Sequence, residues 1–147
     1  MPTLTDCLES DHRRLDAILA ECRSLAAAGS FPVASERFAT FGRGLCRHID
    51  AEEDILFPAL EERAPHAAGP MRVMRAEHAE LLEIIAAVAA ALVGSDPAWR
   101  SRLQQLEDVL VAHNAKEERV LYPMANEVSR DDPELEGLAA SLAGSLG

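Results

Sequence analysis

Apolar residues recur every three or four positions along most of the chain, a spacing that predicts amphipathic α-helices. Glycine and proline divide this pattern into four long segments, which run from about Thr3 to Ala28, from after Pro32 to about Arg63, from Pro70 to Gly94, and from Asp96-Pro97 to about residue 128. Alanine and leucine are abundant, whereas β-branched residues are sparse, which favours helix. The sequence therefore predicts an all-α fold, an up-down-up-down four-helix bundle with short loops.

Finer features complete this outline. Thr3 or Thr5 is the expected N-cap of the first helix, and Pro58 and Pro123 are expected to kink or loosen the last turns of the second and fourth helices. The chain of 147 residues is expected to be one domain, with a core at about residues 3–128 and a tail at residues 129–147. The tail can form a short fifth helix, whose apolar positions are Leu135, Leu138 and Leu142.

Charge and composition exclude several classes of function. A formal net charge of −11 opposes binding to nucleic acid, which requires clustered cations. We expect no membrane segment, because the longest apolar run (residues 84–93) is too short to span a bilayer, and no signal peptide at the N-terminus. The three cysteines form no CxxC pair and are an odd number, so we expect free thiols in a reducing cytoplasm.

Two stretches of the chain share one formula. HIDAEEDILFP begins at His48 and HNAKEERVLYP begins 65 residues later at His113; each reads His, three residues, Glu-Glu, one residue, a β-branched aliphatic, Leu, an aromatic and Pro. His12 and His78, on the first and third helices, differ by 66 residues. The sequence is therefore an internal repeat of a helix with one His followed by a helix with His-x-x-x-Glu. These four histidines occupy apolar stripes, whereas the fifth, His66, falls in a loop and is expected to be exposed.

The His-x-x-x-Glu spacing puts both side chains on one face of a helix, roughly 6 Å apart along the axis. Burying an unpaired ionised carboxylate costs several kcal/mol or more, and a bound metal ion is the simplest compensation. Imidazole and carboxylate ligands without thiolate suit iron, manganese or zinc. The candidate metal ligands are His12, His48, Glu52, His78, His113 and Glu117.

The number of candidate ligands indicates two ions. Six side chains would saturate a single octahedral ion. If Glu52 and Glu117 each bridge two ions about 3.5–4 Å apart, positions remain for solvent, a bridging oxygen or a small ligand. The two-fold repeat matches such a paired, carboxylate-bridged site.

This combination of motifs resembles the hemerythrin HHE cation-binding domain, and the resemblance covers roughly Leu8 to Glu127. It implies a four-helix bundle with a non-haem di-iron centre held by the six residues named above. The implied functions are binding, sensing or detoxifying a small diatomic ligand, dioxygen or nitric oxide, or handling iron. No catalytic residue is assigned.

The sequence departs from the oxygen-carrying hemerythrins at two positions. They have a second His one turn before the ligand of the third helix, where this chain has Met74. They also use a carboxylate five residues after the last His, which is Glu118 here; we expect Glu117 instead, because it faces the core and matches Glu52. A missing His leaves an open or solvent-filled position, which Met74 would line. This favours rapid oxidation in air, and sensing or detoxification rather than oxygen transport.

We expect the residues around the motifs to have ordinary structural roles rather than to bind metal. Glu53 and Glu118 are expected to be solvated or paired with arginine, and Phe57 and Tyr122 to close one end of the bundle. A tyrosine hydroxyl bonded to a metal ligand is the alternative for Tyr122.

Two alternative functions remain open. One is a di-iron enzyme that reduces nitric oxide or peroxide or repairs iron clusters, although no motif beyond the metal site supports an enzyme. The other is an interaction module whose metal is structural.

Overall fold

The computed structural model describes residues 2–146, which form helices and turns with no β-strand among them. The helices are α1 (Asp6–Ala27), α2 (Phe31–Ala51), α3 (Phe57–Arg63), α4 (Ala68–Val93), α5 (Trp99–Lys116), α6 (Tyr122–Ser129) and α7 (Pro133–Leu146). Between them lie a first π-helical turn (Glu52–Leu56), a 3-10 turn (Pro65–Ala67) and a second π-helical turn (Glu117–Leu121). The all-α prediction is confirmed.

Four long helical members make up the bundle. α2 continues through the first π-helical turn into α3, and α5 continues through the second into α6, with helical backbone angles at every junction. Together with α1 and α4 these give the predicted up-down-up-down order, in which α1 packs on α2, α2 on α4, and α4 on α5. The predicted fifth helix is present as α7.

The two π-helical turns explain what the prolines do. Pro58 and Pro123 each stand at the second residue of the helix that follows a π-helical turn. A proline inside a helix lacks the N–H for the ladder, and its ring clashes with the carbonyl four residues earlier. The backbone widens by one residue just before each proline. Phe57 N–H donates to the Glu52 carbonyl and Tyr122 N–H to the Glu117 carbonyl, five residues back in both cases. The expected loosened turn is therefore a defined π-helical turn.

Some predicted helix ends were wrong by a few residues. The first helix begins at Asp6, and although Thr5 holds the N-cap position, its side chain makes no capping hydrogen bond. The Thr5 hydroxyl is paired with the side chain of Asn126 instead. α4 begins at Ala68, so Pro70, its third residue, lies in the first turn of that helix, as expected. After α4 the left-handed backbone conformation falls on Ser95, with φ of 49°, and not on Gly94.

Two separate apolar cores fill the bundle. The first apolar core lies towards the α1–α2 and α4–α5 turns and includes Leu15, Phe38, Phe41, Leu81 and Leu110. The second apolar core lies at the opposite end and includes Leu8, Leu56, Met74, Leu121 and Leu142. On every long helix a histidine stands between residues of the first core and residues of the second. A polar layer therefore crosses the middle of the bundle.

α7 closes the end of the bundle that holds the second apolar core. It packs against α1, α2, the first π-helical turn and α6, and it buries Leu135 and Leu142. Arg63 anchors the approach to α7 through ion pairs to Asp132 and Glu134.

None of the helices in the described range 2–146 is long and apolar enough to cross a bilayer. The three cysteines are free, as expected.

Docking of α7 predicts the effect of truncating its buried leucine. Leu142→Ala should lower the free energy of unfolding by about 2–5 kcal/mol, because a buried methyl-rich side chain leaves a cavity. The control Val93→Ala, at a position that is 78% exposed, should change it by less than about 0.5 kcal/mol. Denaturant unfolding measures both values. Equal stability of the two variants would contradict the docked position of α7.

Candidate metal centre

The polar layer between the two apolar cores gathers the six candidate ligands. α1, α2, α4 and α5 each contribute one histidine, and the two π-helical turns each contribute their first residue, a glutamate. All six side chains are at most 3% exposed, and they are His12, His48, Glu52, His78, His113 and Glu117. The structure thus brings together every residue that the repeat singled out. His66, the fifth histidine, is exposed in the 3-10 turn.

The four imidazole rings form two pairs. The rings of His12 and His48 stack with their centroids 4.6 Å apart. The rings of His78 and His113 meet edge to face with centroids 4.9 Å apart. Each pair contains one histidine from a lone-His helix and one from a His-x-x-x-Glu helix, so the pairs follow the internal repeat.

Glu117 lies between the two histidine pairs. Its Oε1 atom is 3.1 Å from His12 Nε2 and 3.4 Å from His113 Nε2, and its Oε2 atom is 3.9 Å from His78 Nε2. One carboxylate therefore reaches both pairs, which is the geometry required of a bridging ligand.

Glu52, in the first half of the repeat, also reaches both histidine pairs. Its Oε1 atom is 3.1 Å from His78 Nε2, and its Oε2 atom is 3.6 Å from His48 Nε2. Two overlapping sets of possible ligand atoms follow, one formed by Glu52, His78, His113 and Glu117 and the other by His12, His48 and Glu117. Glu117 is common to both sets.

Each imidazole also has a carboxylate on its outer nitrogen. The distances from Nδ1 to oxygen are between 2.6 and 3.0 Å, for the pairs His12–Glu118, His48–Asp11, His78–Glu53 and His113–Glu77. An Nδ1–H held by a carboxylate fixes the orientation of the ring and leaves Nε2 free to face a metal ion. All four Nε2 atoms point to the same interior layer.

These outer carboxylates correct the sequence interpretation. Glu53 and Glu118 are neither merely solvated nor paired with arginine, because they hold His78 and His12. Two consecutive glutamates therefore contact the two nitrogens of one imidazole ring. Glu52 and Glu53 contact His78 in this way, and Glu117 and Glu118 contact His12.

Sequence reasoning missed Asp11 and Glu77 altogether. A signal was present, since an acid immediately precedes the lone histidine in both halves, as Asp11-His12 and Glu77-His78. Each acid turns away from its sequence neighbour, however, and bonds the histidine of the next bundle member. Only the packing of α1 on α2 and of α4 on α5 makes these contacts.

Tyr122 breaks the symmetry of the repeat. Its hydroxyl donates to Glu52 Oε2 at 2.6 Å and lies 3.2 Å from Glu117 Oε1 and 3.4 Å from both His12 Nε2 and His48 Nε2. The corresponding residue in the first half is Phe57, which stacks on the His78 ring with centroids 6.0 Å apart. One histidine pair therefore faces a phenol, and the other faces a hydrocarbon ring.

Three buried polar atoms have no hydrogen-bond partner within residues 2–146: Glu52 Oε1, His78 Nε2 and Glu117 Oε2. Such orphans are rare in folded proteins and each requires an explanation. All three face the same interior layer and are oxygen or imidazole donors, the chemistry that a divalent transition metal accepts. The residues present therefore fit a bound metal.

The electrostatics of the layer favour bound cations or protons. Burial disfavours the charged form of His48, but the charge of Glu52 and the hydrogen bond to Asp11 outweigh it and raise the pKa to about 10. Burial also disfavours the charged form of His78, but the nearby carboxylates of Glu117 and Glu52 outweigh it and raise the pKa of His78 to about 10. Burial works to raise the pKa of Glu117, yet hydrogen bonds to its neighbours hold that pKa well below its ordinary value. Burial, together with the charges of Glu52 and Glu117, raises the pKa of Tyr122 well above its ordinary value.

Comparison with known proteins gives two findings. Residues 3–125 match the family described as the Hemerythrin HHE cation binding domain. A protein from Nostoc sp. named DNA nickase is 24% identical over 132 residues, which are 89% of this chain and 36% of that protein. The chain therefore spans little more than a third of the length of this relative. Among solved structures, none matches the chain.

The raised histidine pKa values predict how the metal-free protein responds to pH. A group whose pKa rises from 6.5 to about 10 on folding contributes stability that is fully present below pH 6.5 and is lost as the pH rises to about 10. The melting temperature of chelator-treated protein should therefore fall across that interval. His48→Gln should reduce the fall, whereas His66→Gln, in the exposed turn, should leave it unchanged. A melting temperature that rises over the same interval would contradict these ionisation states.

The outer carboxylates predict a loss of metal affinity on substitution. Asp11→Asn should weaken metal binding about 10–100-fold, because the His48 ring loses the charged partner of its Nδ1–H. Asp50→Asn, on the exposed side of the same α2 helix as His48, is the matched control and should bind metal as the unmodified chain does. Competition with a chelator of known affinity measures both. Equal affinities would show that Asp11 does not support the site.

Proposed function

Because the chain belongs to the hemerythrin HHE cation-binding domain family, we propose that it holds a pair of iron ions and binds dioxygen or nitric oxide there, to sense or detoxify it. The proposed ligands are His12, His48, Glu52, His78, His113 and Glu117. The position of Glu117 carries the proposal, since it belongs to both sets of candidate ligand atoms. Manganese and zinc suit the same donors, and metal analysis distinguishes them.

The remaining groups of the layer have distinct roles in this proposal. A ferrous pair, when bound, supplies electrons and open coordination positions to a diatomic ligand. The outer carboxylates orient the imidazoles, and the two apolar cores exclude bulk water. Tyr122 keeps its proton at the hydroxyl oxygen, between Glu52 and Glu117, and so offers the layer one hydrogen-bond donor that can reorient.

The Nostoc relative does not support a role in DNA cleavage for this chain. The match covers 36% of that protein at 24% identity, so it does not show which part of the relative carries its named activity, and the net charge of −11 opposes contact with phosphates. The metal layer is the feature on which the proposed function rests.

The spectrum of the iron-loaded protein tests this function. Protein loaded with ferrous iron without air should develop a new visible or near-ultraviolet band on exposure to nitric oxide or dioxygen. The zinc-loaded protein is the control and should show none. A chain that takes up only zinc, or an iron-loaded chain whose spectrum neither gas changes, would contradict the proposed function.

Metal stoichiometry tests the bridging carboxylates. Saturated protein should contain about two ions per chain, because each of the two glutamates can span an ion pair. Glu117→Leu should lose the paired site, whereas Glu118→Leu should still bind both ions at saturating iron, since Glu118 touches only the outer nitrogen of His12. Elemental analysis measures the iron in each variant. If Glu118→Leu loses the iron and Glu117→Leu retains it, the bridging assignment is reversed.

Met74 predicts how the iron-loaded protein behaves in air. It lies one turn before His78 on the same face of α4, and a thioether is a weak ligand for ferric iron, so water is expected at that position. The ferrous protein should therefore oxidise rapidly in air. Met74→His should slow this oxidation by adding an imidazole, whereas the volume-conserving Met74→Leu should not. Absorbance recorded after air is admitted measures the rates. Repeated oxygen cycling by the unmodified protein without oxidation would contradict this role of Met74.

A further inference from the structure

The six proposed ligands are closed off from solvent, so a small ligand has to cross protein to reach them. Cavities on the surface of the described residues differ in chemistry. One of about 640 Å³ lies between the N-terminal residues, α6 and α7, and charged Arg130 and Glu136 border it. Another, about 260 Å³, lies beside Asp11 and Arg14. Charged borders hold water and ions better than they hold an apolar molecule.

A smaller pocket lies between α4, the end of α5 and the second π-helical turn, and we call it the α4 pocket. It has a volume of about 180 Å³ and is lined by Pro70, Val73, Met74, Lys116, Val120 and Leu121. Five of these six side chains are hydrocarbon or thioether. An enclosed apolar cavity of about 150 Å³ holds benzene or xenon. The α4 pocket is of similar volume but is open to solvent at its rim. The α4 pocket is therefore of a size and chemistry suited to a small apolar molecule.

The single charged side chain of the α4 pocket is directed elsewhere. The ammonium group of Lys116 pairs with Glu77, whose other carboxylate oxygen is 2.8 Å from His113 Nδ1. Lysine commonly lays its methylene stem along apolar surface while its charged end binds a partner. The pocket therefore keeps an apolar lining on this side too.

The α4 pocket has an exposed rim and a buried floor, and the floor residues are close in sequence to two of the proposed ligands. Val73 and Val120 form its rim and are 49% and 56% exposed, whereas Met74 and Leu121 form its floor and are at most 4% exposed. Met74 lies one helical turn before His78, and Leu121 ends the π-helical turn that Glu117 begins. Each of the two floor residues is therefore four positions along the chain from a proposed ligand, Met74 from His78 and Leu121 from Glu117.

We propose that the α4 pocket is a binding site for a small apolar gas, dioxygen or nitric oxide, and the route by which that gas reaches the histidine–glutamate layer. The role of the α4 pocket as a route to the layer rests on the proposed function, whereas its role as a gas-binding site does not. Both gases are uncharged and leave water readily for apolar surface, whereas ions do not. Met74 is suited to the floor, since its unbranched side chain changes rotamer more easily than that of a branched residue.

Dissolved dioxygen is paramagnetic, so nuclear magnetic resonance of the full chain without added iron tests the gas site. Pressurised dioxygen should accelerate relaxation of the Met74 methyl protons several-fold more than that of the Leu142 methyls, which are also buried in the second apolar core but line no part of the α4 pocket. Val73→Trp and Val120→Trp, which narrow the rim, should reduce the effect at Met74. Val33→Trp is the matched control, at a site on α2 that is 47% exposed, and should leave it unchanged. Equal relaxation at Met74 and Leu142, or no effect of the two rim variants, would overturn the gas site.

The rate of gas binding to the iron-loaded protein tests the route. Stopped-flow mixing of the ferrous protein with nitric oxide should give an association rate several-fold lower in Val73→Trp and Val120→Trp and unchanged in Val33→Trp. Unchanged rates in both rim variants would overturn the route. If the loaded protein binds neither gas while the relaxation effect at Met74 persists, the proposed function is wrong, the route falls with it, and the gas site stands.

Discussion

The structure depends on one constraint: two glutamates and four histidines are buried across the middle of an apolar bundle, and every polar atom there requires a partner. An unpaired charge in such a place costs several kcal/mol, far more than a surface ion pair contributes. The four outer carboxylates meet part of that requirement by holding the Nδ1 atoms, and Tyr122 meets another part at Glu52. The three atoms left without a partner face inward and fit a metal ion. The layer is thus an incomplete hydrogen-bond network that a cation completes.

Each half of the internal repeat supplies the same set of residues to this layer, except that Phe57 in one half corresponds to Tyr122 in the other. Each half contributes an acid before a lone histidine and a Glu-Glu pair after His-x-x-x, and each outer acid bonds a histidine on another member of the bundle. Such crossed contacts tie α1 to α2 and α4 to α5 at the level of the site. The halves differ at Tyr122 and Phe57, so the His12–His48 pair lies in a more polar setting than the His78–His113 pair. The two halves of the site are chemically unequal for that reason.

The histidines of the site lie on regular α-helix, whereas its glutamates lie on π-helical turns. Regular helix places the histidines, because each is an ordinary stripe position between leucines of the two cores. Irregular backbone places the glutamates, since each begins a π-helical turn that a proline imposes six residues later. The same turn lets the following glutamate reach the outer nitrogen of a ring whose inner nitrogen the first glutamate faces.

The sequence by itself determined the all-α class, the four long helices and the six residues of the layer. Helix periodicity is a local property, and a histidine in place of a leucine on an apolar stripe is visible without coordinates. Helix ends were less accurate, as at the first helix, which begins at Asp6 rather than at about Thr3, because the terminal turns of a helix fray and have incomplete backbone hydrogen bonds. From Pro58 and Pro123 the sequence predicts only that the helix is disturbed near each proline. Whether the backbone kinks there or widens into a π-helical turn depends on what the turn packs against. Only the tertiary structure decided that Asp11 serves His48 and not its neighbour His12, that Glu53 and Glu118 hold rings, and that Tyr122 lies among the carboxylates. Those contacts join residues between 25 and 106 positions apart, and no local pattern specifies which helix faces which.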